Sequence, residues 1–461
     1  MAWDPEKESA GFDVVGINTA INDQTSRRSE QNPNDNEGLH QKLNTRHLTF
    51  ISLGSVIGSG IFLGIGSALT TAGPVGLALA FAFICSVVYC VMLCTGEMVT
   101  YLPVVAAHMR LSGRFVDTSL AAAMSWNYCT GGTPAPLCHT VASKDFWPVP
   151  GLLLQLRFLP IGAELLALVA TETRNPRKLI PTALKATWVR VVLFYFLAAF
   201  CVSIIVPSNE SCLGLSSTAA ASPYVIAIET AGIKVLPSLI NACIVPSALS
   251  AGVSDSFMAS RTLHAMAGSG TAPKILQTTN KLGCPWIAVL ATWSLSLLAF
   301  LAIGCSSGKV FNYLVNLTAL RGIITWDCIA ITYFRFWAGM KALGISHSSL
   351  PWRSRFSVFG TYWILIVIST VLLVSGWPVF AKNNWNTATF FSNYLPSSIF
   401  TLVYVALKIG ISSMIVKASN MDLTTALREI EQRGVKANEQ DELARTLYSG
   451  GKVKAFLKHR G

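Results

Sequence analysis

Two short stretches carry chemistry in the backbone rather than in side chains. Gly54-Ser55-Val56-Ile57-Gly58-Ser59-Gly60-Ile61-Phe62 lies inside an uncharged run from Leu48 to Ala72. Pro160-Ile161-Gly162-Ala163-Glu164 lies inside the apolar stretch Gly151 to Ala170. About 20 apolar residues suffice for a helix to cross a bilayer, but glycine weakens a helix interior by roughly 1 kcal/mol against alanine. Both stretches are long enough to span and locally poor at remaining helical. If Ile57 to Gly60 unwinds, its amides and carbonyls face a cavity, because irregular backbone at that depth is tolerated only there. Free N–H groups at the start of a half-helix hold a carboxylate, and free carbonyls hold a cation or ammonium. A zwitterion such as an α-amino acid satisfies both. The other reading of the first stretch is a seam of small residues that lets helices pack closely, Gly54 with Gly58 or Gly60 with Gly64.

Five ionisable side chains stand within or at the edges of apolar runs. Glu164 is an intramembrane acid beside Gly162 and Pro160, and an ionisable group there is costly enough to imply a function or a hydrogen-bonded packing role. Glu97 sits near the end of the run Leu77 to Met98. It reads as an interfacial carboxylate bonded to a loop, with coupling or gating as its second reading. Arg321 and Asp327 share one apolar run and stand about 240° apart around a helix, so they do not pair along one face. Arg157 lies in the Gly151 to Ala170 stretch, and nothing in the sequence gives it or that pair a role. No Ser/His/Asp set, nucleotide-binding loop or metal-ligand spacing is present, so no enzyme chemistry, cofactor or metal is expected. His47, His108 and His139 read as solvated or structural, and the scattered cysteines as small buried hydrophobes.

The elements that must position these residues follow from composition. Of 461 residues, 52% are hydrophobic and only 13% charged, against about 25% charged in soluble domains. Continuous apolar runs without alternation exclude a membrane β-barrel. The net charge of +12 arises from short basic clusters beside the runs, as positive-inside topology requires, and not from a nucleic-acid-binding surface. Spans are expected at Leu48 to Leu69, Leu77 to Met98, Trp188 to Val206, Val235 to Met266, Ile287 to Ile303, Val310 to Phe336, Gly360 to Val379 and Pro396 to Ile415. The turn Ala72-Gly73-Pro74-Val75-Gly76 separates the first two. Arg110 and Arg114, the Arg174 to Lys185 cluster, Arg261 with Lys274, and Arg335 through Arg355 mark cytoplasmic loops. The polar first 45 residues form no signal peptide and are expected to be a disordered cytoplasmic tail. Residues 418–461 form a second cytoplasmic tail. Between Arg114 and Arg174 the chain must cross an even number of times, yet Thr118 to Val141 is short and broken by Gly131-Gly132-Thr133-Pro134.

The ordered motifs resemble a family. Arg46-His47-Leu48 leads into Gly54 to Phe62, followed by Gly66-Ser67-Ala68-Leu69, Gly96-Glu97-Met98, Tyr101-Leu102-Pro103, Arg114-Phe115-Val116-Asp117 and Trp126-Asn127-Tyr128. Gly162-Ala163-Glu164, Asn175-Pro176-Arg177-Lys178, Ser222-Pro223-Tyr224-Val225, Phe311-Asn312-Tyr313-Leu314 and Trp377-Pro378-Val379-Phe380 continue the series. Together they resemble the fungal amino acid permeases of the yeast amino acid transporter group, within the amino acid–polyamine–organocation superfamily. The resemblance implies an all-α, polytopic membrane protein of the inverted-repeat transporter fold, with broken first and sixth family helices. It implies proton-coupled uptake of amino acids by alternating access at a fungal plasma membrane. The partners would be an amino acid substrate, protons and the lipid bilayer. Carried over, Ile57, Gly58, Ser59 and Gly60 would hold the substrate's backbone charges from one side. Ile161, Gly162, Ala163 and Glu164 would hold them from the other, and Glu97 is the candidate for coupling or gating.

This chain departs from the family between Trp126 and Gly162, where most of the third to fifth family helices are missing. About 9–10 spans are expected instead of 12, within a transmembrane domain at 46–417 carrying a deletion around 127–160. The alternative to a transporter is a truncated, non-transporting permease copy or an amino acid sensor. Arg321 is a further departure, standing where the family prefers a small or apolar residue.

Overall fold

The computed structural model describes residues 65–104, 106–131, 176–208, 222–233, 235–280, 283–296, 307–380 and 385–423. Every regular element among them is helical. They are α1 (Ile65–Tyr101), α2 (Ala107–Phe115), α3 (Thr118–Gly131), α4 (Pro176–Val191), α5 (Ala198–Ile205), α6 (Pro223–Thr230), α7 (Leu236–Gly268), α8 (Trp286–Ser296), α9 (Ser307–Ala342), α10 (Ser357–Val374) and α11 (Thr387–Ile411). A π-helical turn, Val192–Leu197, joins α4 to α5 in one run. The expected spans at 188–206, 235–266, 310–336 and 360–379 each fall on helix. By length and composition, Ala72–Tyr101, Leu179–Ile205, Ser357–Val374 and Thr389–Ile411 can cross a membrane. The chain is an all-α, multi-pass membrane protein.

The turn expected at 72–76 is a sharp break inside α1. Gly73 adopts φ 70°, ψ 176°, a conformation that a side chain would obstruct, and Pro74 follows without an N–H to continue the ladder. Two boundaries differ from expectation. α11 begins at Thr387 and passes through Pro396, which was read as its start. A helix in lipid can carry a proline where local adjustments satisfy the freed carbonyl. α1 continues to Tyr101, past the expected end at Met98, and Glu97 lies in its last turns as expected.

α9 is the hub. It packs on α1, α2, α3, α10 and α11. Trp326, Tyr333 and Phe336 are its largest buried side chains. Phe336 stacks among Tyr101, Phe115 and Tyr333 at ring separations of 5.2–6.1 Å. A smaller apolar cluster of Cys129, Leu263, Met266 and Ala288 joins α3, α7 and α8. Outward, α5, α10 and α11 expose Ile204, Phe359, Leu373, Leu402 and Ile409, the lipid-facing side that a spanning helix requires.

At one end of the bundle the chain after α11 folds back. Residues 418–420 form a 3₁₀ turn against α9, and Met421 and Leu423 are buried there. Met421 fills the space above Gly339, where any Cβ would collide with its sulfur. The start of the expected polar tail is thereby part of the packed bundle. Gly339→Ala should lift this strap and speed tryptic cleavage after the exposed Lys417. An unchanged cleavage rate in detergent-solubilised protein would count against the fit.

Candidate functional site

Ile57, Gly58, Ser59, Gly60, Ile161, Gly162, Ala163 and Glu164, and also Arg157, lie outside the described residues. Glu97 is the site candidate that can be placed. Its carboxylate is fully buried and satisfied by groups distant in sequence. Oε1 accepts from the Ser354 amide and the Ser357 hydroxyl, both at 2.6 Å. Oε2 accepts from the Tyr333 hydroxyl at 2.5 Å, and His347 Nε2 lies 3.1 Å away. The carboxylate therefore ties α1 to α9, to the loop between α9 and α10, and to the first residue of α10. Buried acids survive when their lone pairs are filled in this way. One residue earlier, Gly96 leaves room for the Trp352 ring and Leu184 of α4; any side chain there would strike both. The loop at 343–356 is thus keyed to the end of α1 by a tryptophan and a carboxylate side by side.

A second buried acid fastens the same end. Asp117 Oδ1 accepts from the Leu120 amide at 2.6 Å, capping the start of α3. Its Oδ2 accepts from Lys408 at 2.5 Å and from the Tyr404 hydroxyl at 3.0 Å, both on α11. Arg335 of α9 donates to the carbonyls of Phe115 and Val416, and the Val416 amide donates to the Val116 carbonyl at 2.8 Å. Ser119 and Ser413 share a hydrogen bond of 2.6 Å.

Farther along α9 lies a polar seam with α3. Asn127 donates to the Arg321 carbonyl at 3.1 Å and to the Thr325 hydroxyl at 3.2 Å, and Thr325 donates to the Arg321 carbonyl at 3.0 Å. Arg321 Nη1 and Asp327 Oδ1 are buried and have no hydrogen-bond partner among the described residues. The two do not meet each other, in line with their angular separation.

His108 of α2 is 1% exposed. Its ring lies 5.7 Å from that of Tyr128, and neither nitrogen finds a partner among the described residues. Burial pushes its pKa down to about 3, because the charged imidazole is denied solvent. Among the described residues no group of histidine, cysteine or carboxylate side chains could hold a metal ion.

The amino acid permease family model matches residues 47–143 and 134–419. The chain belongs to the amino acid permease family. That family consists of transporters, not enzymes, and its members cross the membrane many times. The permease chain is 31% identical to a general amino-acid permease of Candida albicans, over 89% of this chain and 85% of that one. It is 27% identical to a basic amino-acid permease of Saccharomyces cerevisiae, over 89% and 88%. It is 29% identical to a proline-specific permease of Emericella nidulans, over 85% and 89%. These alignments run over 503, 507 and 489 positions, more than the 461 residues of this permease. Each relative therefore carries residues with no counterpart here.

The sequence marks Glu97 as a carboxylate bonded to a loop but does not say which loop. It does not mark Tyr333, His347, Ser354 and Ser357, which stand 236 to 260 residues away; no local spacing signals such a pairing. Asn127 was noted only as part of a motif, and Asp117 likewise.

Glu97→Ala leaves four donors without their acceptor, and each unsatisfied buried group costs about 1–3 kcal/mol. A drop in the melting temperature of the solubilised protein is expected. Glu97→Gln should also lower it, because its amide hydrogens face donors; an unchanged melting temperature in both would show that the carboxylate holds nothing together. His108 predicts a pH dependence of definite sign. The folded state keeps the imidazole neutral, whereas the unfolded chain takes up a proton below about pH 6.5. This contribution is therefore complete above that pH and declines toward pH 3, by about 1.4 kcal/mol per unit where only the unfolded form binds the proton. His108→Phe should shrink the fall in melting temperature between pH 7.5 and 5.5, and an identical fall in both proteins would refute the assignment.

Proposed function

We propose that the protein takes up amino acids across a fungal plasma membrane, coupled to protons, by alternating access. The observation that carries this reading is membership of the amino acid permease family, with the match running in order through most of the chain. The relatives are named for general, basic and proline substrates, which supports an amino acid as the cargo and leaves its side chain open. Ile57, Gly58, Ser59 and Gly60, with Ile161, Gly162, Ala163 and Glu164, are proposed as the two interrupted segments that hold the substrate's ammonium and carboxylate. Two such interruptions in corresponding apolar segments are the sequence mark of a midplane transport site.

Glu97 is proposed as a gating latch at the cytoplasmic end. A carboxylate that closes four hydrogen bonds between α1, α9, α10 and their loop holds one arrangement of those elements. An alternating carrier must be able to leave one such arrangement for another. Proton coupling would require Glu97 or Glu164 to gain access to water at some stage of the cycle.

A second reading has its own support. The family match falls into two segments meeting at 134–143, inside the stretch where most of three helices are expected to be missing. The alignments longer than the chain agree with a deletion of that kind. Such a protein would be a non-transporting copy or a sensor that binds an amino acid without flux.

Uptake of labelled amino acids into permease-deficient yeast expressing a fluorescent fusion separates these readings. The carrier should reach the cell surface and raise uptake, more so at external pH 5 than at pH 7, and a protonophore should abolish the gain. Surface expression without uptake would sink the transport reading. Retention inside the cell followed by degradation would identify a defective copy.

A further inference from the structure

We propose that Arg321 selects amino acids with a carboxylate side chain. The inference deepens the transport reading and rests on it for flux, though not for binding. A guanidinium carries its charge at any physiological pH, and placing one deep in a membrane protein is costly unless an anion or water meets it. Arg321 stands near the middle of α9, a 36-residue helix, roughly 20 Å along the axis from its first residue. Toward the other end, Tyr333 and Arg335 already belong to the cytoplasmic joint built on Glu97 and Asp117. Arg321 is therefore at the depth where a carrier must pass its substrate.

The residue is positioned by its neighbours, and among the described residues its Nη1 meets no acceptor. Arg321 lies one turn from Thr325, and both are tied to Asn127 of α3, so it sits at the seam between α3 and α9. Its carbonyl is engaged twice over by Asn127 and Thr325, whereas Nη1 is buried without a partner among the described residues. Asp327, the nearest acid on the same helix, is turned about 240° away and has its own unpartnered oxygen. The acids at the cytoplasmic end are committed elsewhere, Glu97 to four donors and Asp117 to Leu120, Tyr404 and Lys408. The described part of the bundle thus supplies the cation and no internal anion to match it.

A substrate carboxylate completes the arrangement. Guanidinium and carboxylate match as two parallel N–H···O bonds, and the pair gains strength where water is sparse. A cationic side chain would be repelled from the same seam. A neutral amide isostere would leave the guanidinium charge unmet, and buried polar groups discriminate strongly in that direction.

The test uses full-length protein in two formats. In permease-deficient yeast, uptake of glutamate and aspartate is compared with glutamine, asparagine and lysine. In detergent, the rise in melting temperature on adding each amino acid reports binding without flux. Wild-type protein should favour glutamate over glutamine by tenfold or more, about 1.4 kcal/mol, and reject lysine. Arg321→Ala and Arg321→Gln should erase the preference while still binding glutamine, and Arg321→Lys should restore part of it. Equal handling of glutamate and lysine by the wild type, or an unchanged glutamate-to-glutamine ratio in Arg321→Ala, would overturn the proposal. Glutamate-specific stabilisation that needs Arg321 but comes without uptake would sustain the selectivity and defeat transport. An absence of both would defeat both.

Discussion

Apolar side chains gain little by leaving lipid tails for one another, so a bundle in a bilayer depends on close steric fits and on polar bonds that have no better partner. This permease meets the constraint chiefly where the end of α1 meets the loop between α9 and α10. There Glu97 gathers Tyr333, Ser354, Ser357 and His347, while Gly96 admits Trp352 beside it. Asp117 does the same for α3 and α11. The apolar contacts between α1, α9 and α10 are extensive, but these acids decide which surfaces face each other. Neither could be exchanged for an alanine of similar propensity without leaving several donors dry.

The hub position of α9 follows from this arrangement. One of its faces supplies Tyr333 to Glu97 and another turns Arg335 toward Phe115 and Val416. A third, around Arg321 and Thr325, meets α3 through Asn127. A single helix thereby joins the locked end of the bundle to Arg321, whose Nη1 has no partner among the described residues. A change in the lock and a change in occupancy at Arg321 would act on the same rigid rod, which gives two distant places a common mechanical element.

Much of the architecture was legible in the sequence because lipid imposes a simple rule on it. Among the described residues the long uncharged runs are helices, and Gly73-Pro74 is the break that its sequence suggests. The Pro396 boundary was misplaced because a rule learned from water, that proline ends a helix, loosens where neighbouring groups can satisfy the freed carbonyl. Glu97 was legible as a carboxylate bonded to a loop, but its four partners were not. They come from the α9–α10 region, which reads locally as only a tyrosine in an apolar run and a serine-rich basic loop. Arg321 and Asp327 were recognised as unable to pair, which geometry alone dictates, and both carry an unpartnered buried atom.

Arg335 illustrates a different way of housing a charge. Its guanidinium is held by two backbone carbonyls, one of them Phe115 at the end of α2, where the helix presents its partial negative charge. Carbonyls neither titrate nor exchange counterions. A clasp closed by them offers no counter-charge for salt to screen, whereas the neighbouring Lys408–Asp117 contact is an ion pair, which salt weakens where it meets water. The two fastenings of one joint therefore differ in kind: one charge is met by backbone dipoles and the other by a charge of opposite sign.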